Sequence, residues 1–214
     1  MTLADPIPLS EQQHLVLDGV SWGYYERTLE EIGDRPLRVT FHRGTIEIMP
    51  PLSEHEFAKS TIGVLIEVMA MELDVPMQSF GSTTFRRRDK QAGLEPDQCY
   101  YLKNESKVRG MKRFEPKRHP PPDLAVEIDI TSRSIAREPV YADLGVPELW
   151  RYNGRRLTVL VLNSSRKYVA AETSAGFPFL PIRPFEAFIH RMEREARTTV
   201  VREFRDWVKT LPSR

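Results

Sequence analysis

The stretch that decides the fold is PPPDLAVEIDITS, residues 120–132. Side chains of a strand alternate between its two faces, so one face of this strand is wholly apolar: Leu124, Val126, Ile128 and Ile130. The other face carries three carboxylates: Asp123, Glu127 and Asp129. A charge on a buried strand costs free energy unless it is compensated. The acids therefore lie either on the wet face of a half-exposed sheet or in a functional site.

A second strand carries a similar acid. In LEPDQCYYL, residues 94–102, Pro96 and Asp97 repeat the Pro-Asp pair at a strand start. If the two strands are neighbours in one sheet, Asp97 and Glu127 converge on one point. Convergent carboxylates offer only oxygen ligands, which favour Mg²⁺ or Mn²⁺ over zinc. Such a cation would neutralise acids that otherwise repel each other, and this explains why a buried strand carries them.

Hydrophobic periodicity predicts the elements around these strands. We expect helices at about 20–33, 54–73, 133–144, 184–192 and 194–209. A hairpin is expected at about 37–49, an antiparallel pair from SFGSTTFRRR and LEPDQCYYL, and three strands in VPELWRY, LTVLVL and KYVAAE. The predicted organisation is an N-terminal arm and short helix over 1–34, followed by a single domain over 35–214.

Composition and charge exclude several classes of protein. The chain has 31 basic and 30 acidic residues, which argues against a general polyanion-coating protein but leaves room for a local basic groove. Cys99 is the single cysteine, so an intrachain disulfide and a cysteine-based zinc site are excluded. No stretch approaches the roughly 20 apolar residues of a membrane span, and the N-terminus lacks a signal-peptide pattern. We therefore expect a cytoplasmic protein with no membrane partner.

The segment 103–119 contains seven Lys or Arg residues against two Glu residues. It directly precedes the strand with Glu127, so we expect it to overhang one end of the acidic site. Phosphate contacts supply most of the non-specific affinity for DNA, and the residues predicted to make them are Lys112, Arg113, Lys117 and Arg118. A solvated loop explains the same composition.

Two further polar residues are candidates for the site. His55 stands in the first turn of the helix after Pro51, where it would act as a general base, a phosphate contact or simply a polar cap. Glu47 lies between Ile46 and Ile48 on a predicted strand and is either an accessory acid or an exposed surface residue.

Four motifs occur in the order GTIEIMPPLSEHE, LEPDQCYY, PDLAVEIDITS and YADLGVPELWRY. In these motifs the chain resembles the Uma-two family of bacterial restriction endonucleases, within the PD-(D/E)XK nuclease superfamily. The resemblance covers roughly residues 35–165. It implies an α/β fold of the restriction-endonuclease-like type, in which a mixed central sheet is flanked by helices and carries peripheral β-hairpins. It also suggests a homodimer.

By this resemblance, Asp97 is the first metal-binding acid and Glu127 is the acid of the second half-motif. The superfamily places a lysine two residues after that acid, and here the position is occupied by Asp129. Asp129 could add an oxygen ligand, or Arg137 could bring a cation near the site. Arginine stays protonated, so Arg137 could bind phosphate but could not serve as a general base.

The leading hypothesis is a divalent-metal-dependent endonuclease that hydrolyses DNA phosphodiester bonds, with Asp97, Glu127 and Asp129 as catalytic metal ligands. The alternative, favoured by the missing lysine, is a catalytically inactive nucleic-acid-binding or regulatory protein on a nuclease fold. An assembly protein with surface acids is a third interpretation.

Overall fold

A computed structural model describes residues 14–50, 53–130 and 135–212. These ranges form eleven strands and five α-helices. In chain order they are β1 (Leu15–Leu17), α1 (Trp22–Ile32), β2 (Arg38–His42), β3 (Thr45–Met49), α2 (Ser53–Glu72), β4 (Gln78–Ser79), β5 (Phe85–Arg87), β6 (Ala92–Leu94), β7 (Gln98–Tyr101), β8 (Leu124–Ile128), α3 (Arg137–Leu144), β9 (Glu148–Tyr152), β10 (Leu157–Leu162), β11 (Tyr168–Ala171), α4 (Ile182–Arg191) and α5 (Arg197–Val208).

The central sheet has the strand order β11-β10-β9-β8-β7-β4. It is mixed, because β8 and β9 run parallel while the other neighbouring pairs are antiparallel. One face packs against α2, α4 and α5, and the other packs against α3 and the second sheet. The predicted mixed central sheet flanked by helices is therefore confirmed.

A second, fully antiparallel sheet has the order β1-β3-β2-β6-β5. The predicted hairpin forms β2 and β3, and a second hairpin supplies β5 and β6, so the peripheral hairpins join into one layer. Helix α1 covers the outer face of this layer, where Trp22 and Tyr25 pack against Phe41 at ring-centroid distances of 5.5 and 5.1 Å. The predicted division at residues 34 and 35 stays a prediction.

The segments SFGSTTFRRR and LEPDQCYYL form the expected antiparallel pair, but each is divided between the two sheets. Phe85 pairs with Leu94 where β5 meets β6 in the second sheet, and Ser79 pairs with Tyr100 where β4 meets β7 in the central sheet. Between β6 and β7, Glu95, Pro96 and Asp97 cross from one sheet to the other. Proline has no N–H to donate to a strand ladder, so Pro96 ends the pairing at this point. The crossing places Asp97 between the two sheets.

Strand β8 is buried along its whole length, and this excludes the wet-face interpretation. Val126 belongs to the core under α2, while Ala125 belongs to the core under α3. Glu127 shares the face of Ala125 and is 2 % exposed. Among the helices of the described ranges, none combines the length and the apolar character that crossing a bilayer requires.

Candidate active site

Asp97 and Glu127 lie side by side between the two sheets. Gln98 pairs with Val126 in the antiparallel register of β7 and β8, so the next residues out, Asp97 and Glu127, face each other. Directly opposed residues have Cβ atoms about 4.5–5.5 Å apart and point to the same face. Asp97 Oδ2 also accepts a hydrogen bond of 2.7 Å from the backbone N–H of Ile128. Asp97 is fully buried, and Asp97 and Glu127 both act on the charge of the Arg38 guanidinium. That the two carboxylates lie close enough to share one cation stays a prediction.

Arg38, the first residue of β2, neutralises Asp97 from the second sheet. Its Nη1 forms an ion pair with Asp97 Oδ1, and its Nη2 lies 3.3 Å from Glu56 Oε1. Burial lowers the pKa of the Arg38 guanidinium, but Asp97, followed by Glu127 and Glu56, outweighs burial and raises that pKa above its usual value. Arg38 therefore stays protonated beside both acids.

Arg137, the first residue of α3, makes the corresponding contact to Glu127. Its Nη2 lies 2.8 Å from Glu47 Oε2, and its Nε lies 3.8 Å from Glu127 Oε1. All three side chains are nearly inaccessible to solvent, at 8 % or less. Glu47 is thus a buried member of the site and not an exposed strand residue. Of the three predicted accessory residues, Arg137 lies beside Glu127, and Glu47 is linked to Glu127 through Arg137.

Tyr141 holds Glu127 from the other side. Its hydroxyl donates a hydrogen bond of 2.5 Å to Glu127 Oε2, and both groups are buried. Tyr141 lies one turn after Arg137 on α3, so the helix presents both residues to the same carboxylate. The sequence analysis assigned no role to this tyrosine, although it begins the motif YADLGVPELWRY.

His55 lies in the first turn of α2 and is 4 % exposed. Its neighbour Glu56 contacts Arg38, which in turn contacts Asp97. The amino end of α2 therefore approaches the acids. A functional role for His55 stays a prediction, as does the simpler role of a polar residue at a helix start.

The family model described as "Putative restriction endonuclease", Uma2, matches residues 24–192. The chain belongs to the Uma2 family. A solved structure that resembles it is a "putative nuclease belonging to DUF820" from Anabaena variabilis ATCC 29413, with 15% sequence identity and a TM-score of 0.41. The similarity covers 79% of this chain and 90% of that chain. No curated protein matches the chain.

The Uma2 match includes every site residue described above, from Arg38 to Tyr141. It also includes Asp129, the position at which the resemblance predicts a lysine. Asp129 Oδ2 lies 3.4 Å from Arg151 Nε, and Arg151 also pairs with Glu138. The Asp129 side chain is 31% exposed, in contrast to Asp97 and Glu127. Asp129 is therefore partly exposed and in contact with Arg151.

The basic segment of this Uma2 protein does not overhang the acids. It joins the end of β7 to the start of β8, where Tyr100 pairs with Leu124, and this is the end of the strand pair remote from Asp97 and Glu127. Phe114 anchors it on Phe85 of the second sheet, with ring centroids 4.7 Å apart. The expected position was wrong because the segment follows β7 in the chain. It therefore begins at the end of β7 that lies away from Asp97.

The predicted phosphate-binding residues consequently surround α1 and β5. Lys112 and Arg113 line a cavity of about 320 Å³ together with Glu95 and Leu29. Arg113 and Lys117 line a larger cavity beside it. Arg118 pairs with Glu115 at 3.5 Å. Contact of these residues with nucleic acid stays a prediction.

The donor chemistry of the site suits Mg²⁺ or Mn²⁺. Within residues 14–50, 53–130 and 135–212, no group of three His, Cys, Asp or Glu side chains could hold a metal ion. Mg²⁺ typically takes one or two carboxylates from a protein and fills its other positions with water and substrate oxygens. Asp97 and Glu127 meet that requirement, although the Arg38 guanidinium would have to give way at Asp97 Oδ1.

Proposed function

We propose that this Uma2 protein is an endonuclease that hydrolyses phosphodiester bonds in DNA with the help of Mg²⁺ or Mn²⁺. The observation that carries the proposal is the presence of two buried carboxylates, Asp97 and Glu127, that both act on the charge of the Arg38 guanidinium. Buried acids are costly unless a cation compensates them, and two of them at one point are typical of a functional site. Membership of the family supports a nuclease as the general class.

In this proposal Asp97 and Glu127 hold the cation, and Asp129 assists them. The bound cation would neutralise the two acids and lower the pKa of a water molecule to make it a nucleophile. Tyr141 fixes the orientation of Glu127 through its short hydrogen bond. His55, at the adjacent end of α2, is a candidate to accept a proton from water.

Arg38 and Arg137 take a different role from the missing lysine. Both are held by carboxylates in the site and both keep their protons, so neither can act as a general base. A guanidinium matches the oxygens of a phosphate group with two parallel hydrogen bonds. We infer that the two arginines bind the phosphate of the substrate and stabilise the charge that develops during cleavage.

The test is a thermal-shift titration with MgCl₂ or MnCl₂ on the wild type and on Asp97→Asn and Glu127→Gln. These substitutions keep the shape of each side chain and remove its charge. We expect the metal to raise the Tm of the wild type and to have much less effect on either variant. Glu148→Gln is the matched control, because Glu148 is equally buried on β9 but bonds to Trp150 and Gly176. Equal metal responses in all four proteins would contradict the metal site.

A second candidate function is a catalytically silent nucleic-acid-binding protein. The observation that favours it is the ion pair of Asp129 with Arg151 at the lysine position. Incubation of the protein with plasmid and linear DNA in MnCl₂ separates the two functions, since binding without any cleavage supports the silent protein. The homodimer, which light scattering would test, and the cytoplasmic location stay predictions.

A further inference from the structure

A cavity of about 980 Å³ lies among α1, β5 with the turn that follows it, and the basic segment. Drug-sized ligands occupy cavities of roughly 300–1,000 Å³, so it can admit a small molecule or a stretch of a polymer. Its walls carry five basic residues, three acidic residues and two aromatic rings. The basic residues are Arg86, Arg87, Arg88, Arg113 and Lys117.

This cavity is separate from the acid site. On β2, Val39 and Phe41 point toward Trp22 and Tyr25 of α1, and these residues form one core cluster. Arg38 alternates with Val39 along the strand, so it points to the opposite face of the sheet, where it meets Asp97. The second sheet therefore stands between the cavity beside α1 and the carboxylates.

The cavity lining carries a net positive charge, and most of its basic side chains form no ion pair with the described part of the chain. Its acids are Glu26, Asp89 and Glu115, so the basic residues exceed them by two. Arg87 is engaged by Asp89 at 2.7 Å, and Glu115 pairs outside the lining with Arg118 at 3.5 Å. The remaining basic residues form no ion pair with the described part of the chain: Arg86, Arg88, Arg113 and Lys117.

Two aromatic residues complete the walls. Trp22 and Phe114 are 5% and 8% exposed, and they give the cavity a rigid apolar side. The indole Nε1 of Trp22 is buried and has no hydrogen-bond acceptor within the described residues. A buried donor without an acceptor costs free energy, so a ligand oxygen that reached it would be favourable.

We propose that this cavity binds a phosphate ester. Arginine side chains match phosphate oxygens in pairs, and four basic side chains of this lining form no ion pair with the described part of the chain. A phosphate monoester carries a charge of about −1.5 to −2 at neutral pH, which balances the excess of two positive charges. Two consecutive phosphodiesters carry a similar charge. The ligand is thus either a free nucleotide or a short length of nucleic-acid backbone, recognised by the same phosphate chemistry.

The experiment measures binding in EDTA, so that it does not depend on the proposed metal site. The probes are inorganic phosphate, a nucleoside monophosphate and a labelled single-stranded oligonucleotide of about 12 nucleotides. Binding is followed by tryptophan fluorescence and by fluorescence anisotropy. Trp22→Phe keeps an aromatic ring but removes the indole, so it should abolish the fluorescence response to a ligand in the cavity.

We expect Arg88→Ala with Arg113→Ala to weaken binding about tenfold, because two charge-assisted contacts are lost. For the single-stranded oligonucleotide, the log–log salt slope should fall in magnitude by about 0.7 for each contact removed. Arg118→Ala is the matched control, since Arg118 is a basic residue of the same segment that already pairs with Glu115 and does not line the cavity. It should stay within about twofold of the wild type.

The probes also identify the source of the phosphate. Saturable binding of the monophosphate points to a free nucleotide, and binding of the oligonucleotide alone points to a backbone; both outcomes support the cavity. Failure of all three probes to bind, or equal binding by the double variant and the wild type, would overturn it. Asp97→Asn should bind the probes as the wild type does. Failure of the proposed nuclease activity can therefore be distinguished from failure of the proposed phosphate site. Arg88→Gln with Arg113→Gln repeats the test if the alanine variant does not fold.

Discussion

Arg38 on the second sheet and Asp97, the residue directly before β7 of the central sheet, form an ion pair across 59 residues of sequence. The pair occupies the position that the proposed divalent cation would need. A guanidinium and a metal ion cannot occupy Asp97 Oδ1 at the same time. The state of Arg38 and the affinity for metal are therefore linked.

Arg38→Met tests this linkage. Without metal, the variant leaves Asp97 as a buried, uncompensated charge, and removing one partner of such a pair typically costs about 3–5 kcal/mol of unfolding free energy. Mn²⁺ should restore a large part of that loss, and the metal-induced increase in Tm should exceed that of the wild type. Urea denaturation with and without Mn²⁺ measures both effects. Arg43→Met serves as control, since Arg43 is 68% exposed and pairs with Asp143 outside the site. A smaller metal response in the Arg38 variant would contradict competition.

Tyr141→Phe should keep the fold but lower both the stability of the protein and its affinity for Mn²⁺. The change removes the hydrogen bond to Glu127, which costs about 1.5–3 kcal/mol for a bond to a charged group. Because Glu127 loses its orientation, Mn²⁺ affinity should also fall. Tyr168→Phe is a matched control, because its hydroxyl donates to the backbone oxygen of Val146 at 2.6 Å. Isothermal titration should show reduced Mn²⁺ affinity in the first variant alone, and reduction in both would mark a general loss of stability.

Two substitutions of Asp129 test whether this residue binds the metal or only occupies the position of the missing lysine. If Asp129 contributes an oxygen, Asp129→Asn should weaken Mn²⁺ binding measurably. If it only occupies the lysine position, Asp129→Lys should create or raise cleavage that depends on Mn²⁺. Gel assays on plasmid DNA, with Glu127→Gln added to Asp129→Lys as the inactive control, distinguish the two. Unfolding of both single variants would instead show that the contact with Arg151 is structural.

Stability should fall at alkaline pH. Burial raises the pKa of the Cys99 thiol to about 12 from its model-compound value of 9.0, and burial likewise raises the pKa of Tyr152 to about 12 from 10.0. Both groups bind their protons more tightly in the folded chain, so their contribution is complete below about pH 9 and is lost as the pH rises toward 12. Urea midpoints at pH 8, 9.5 and 11 should decrease in that order. Cys99 should also react with a thiol reagent at pH 8 only after unfolding.

The alternation of LAVEI and the turn HRG predict much of the fold, because both depend on residues close in sequence. The strand and the hairpin follow from that local pattern, whereas the predicted convergence of Asp97 with Glu127 required that β7 and β8 be neighbours, as they are. The role of Arg38 could not be predicted, because its partner belongs to another sheet and a single arginine at a strand end has no periodic signal. The antiparallel pairing of the two segments around DKQAG also follows from the local pattern. The division of each segment between two sheets could not be predicted, because a turn indicates which strands pair and not the sheet to which they belong.

The crossing at Glu95, Pro96 and Asp97 has a consequence for motion. This covalent link of three residues and the connection from β4 to β5 both join the second sheet to the central sheet, and the Arg38–Asp97 and Arg137–Glu47 ion pairs reinforce the contact beside the acids. Local opening that detaches the second sheet would break these contacts together and hydrate Asp97 in the same event. Amide hydrogens of β2 and β7 should therefore exchange with solvent deuterium as one cooperative unit, at a rate that bound Mn²⁺ slows in both strands equally.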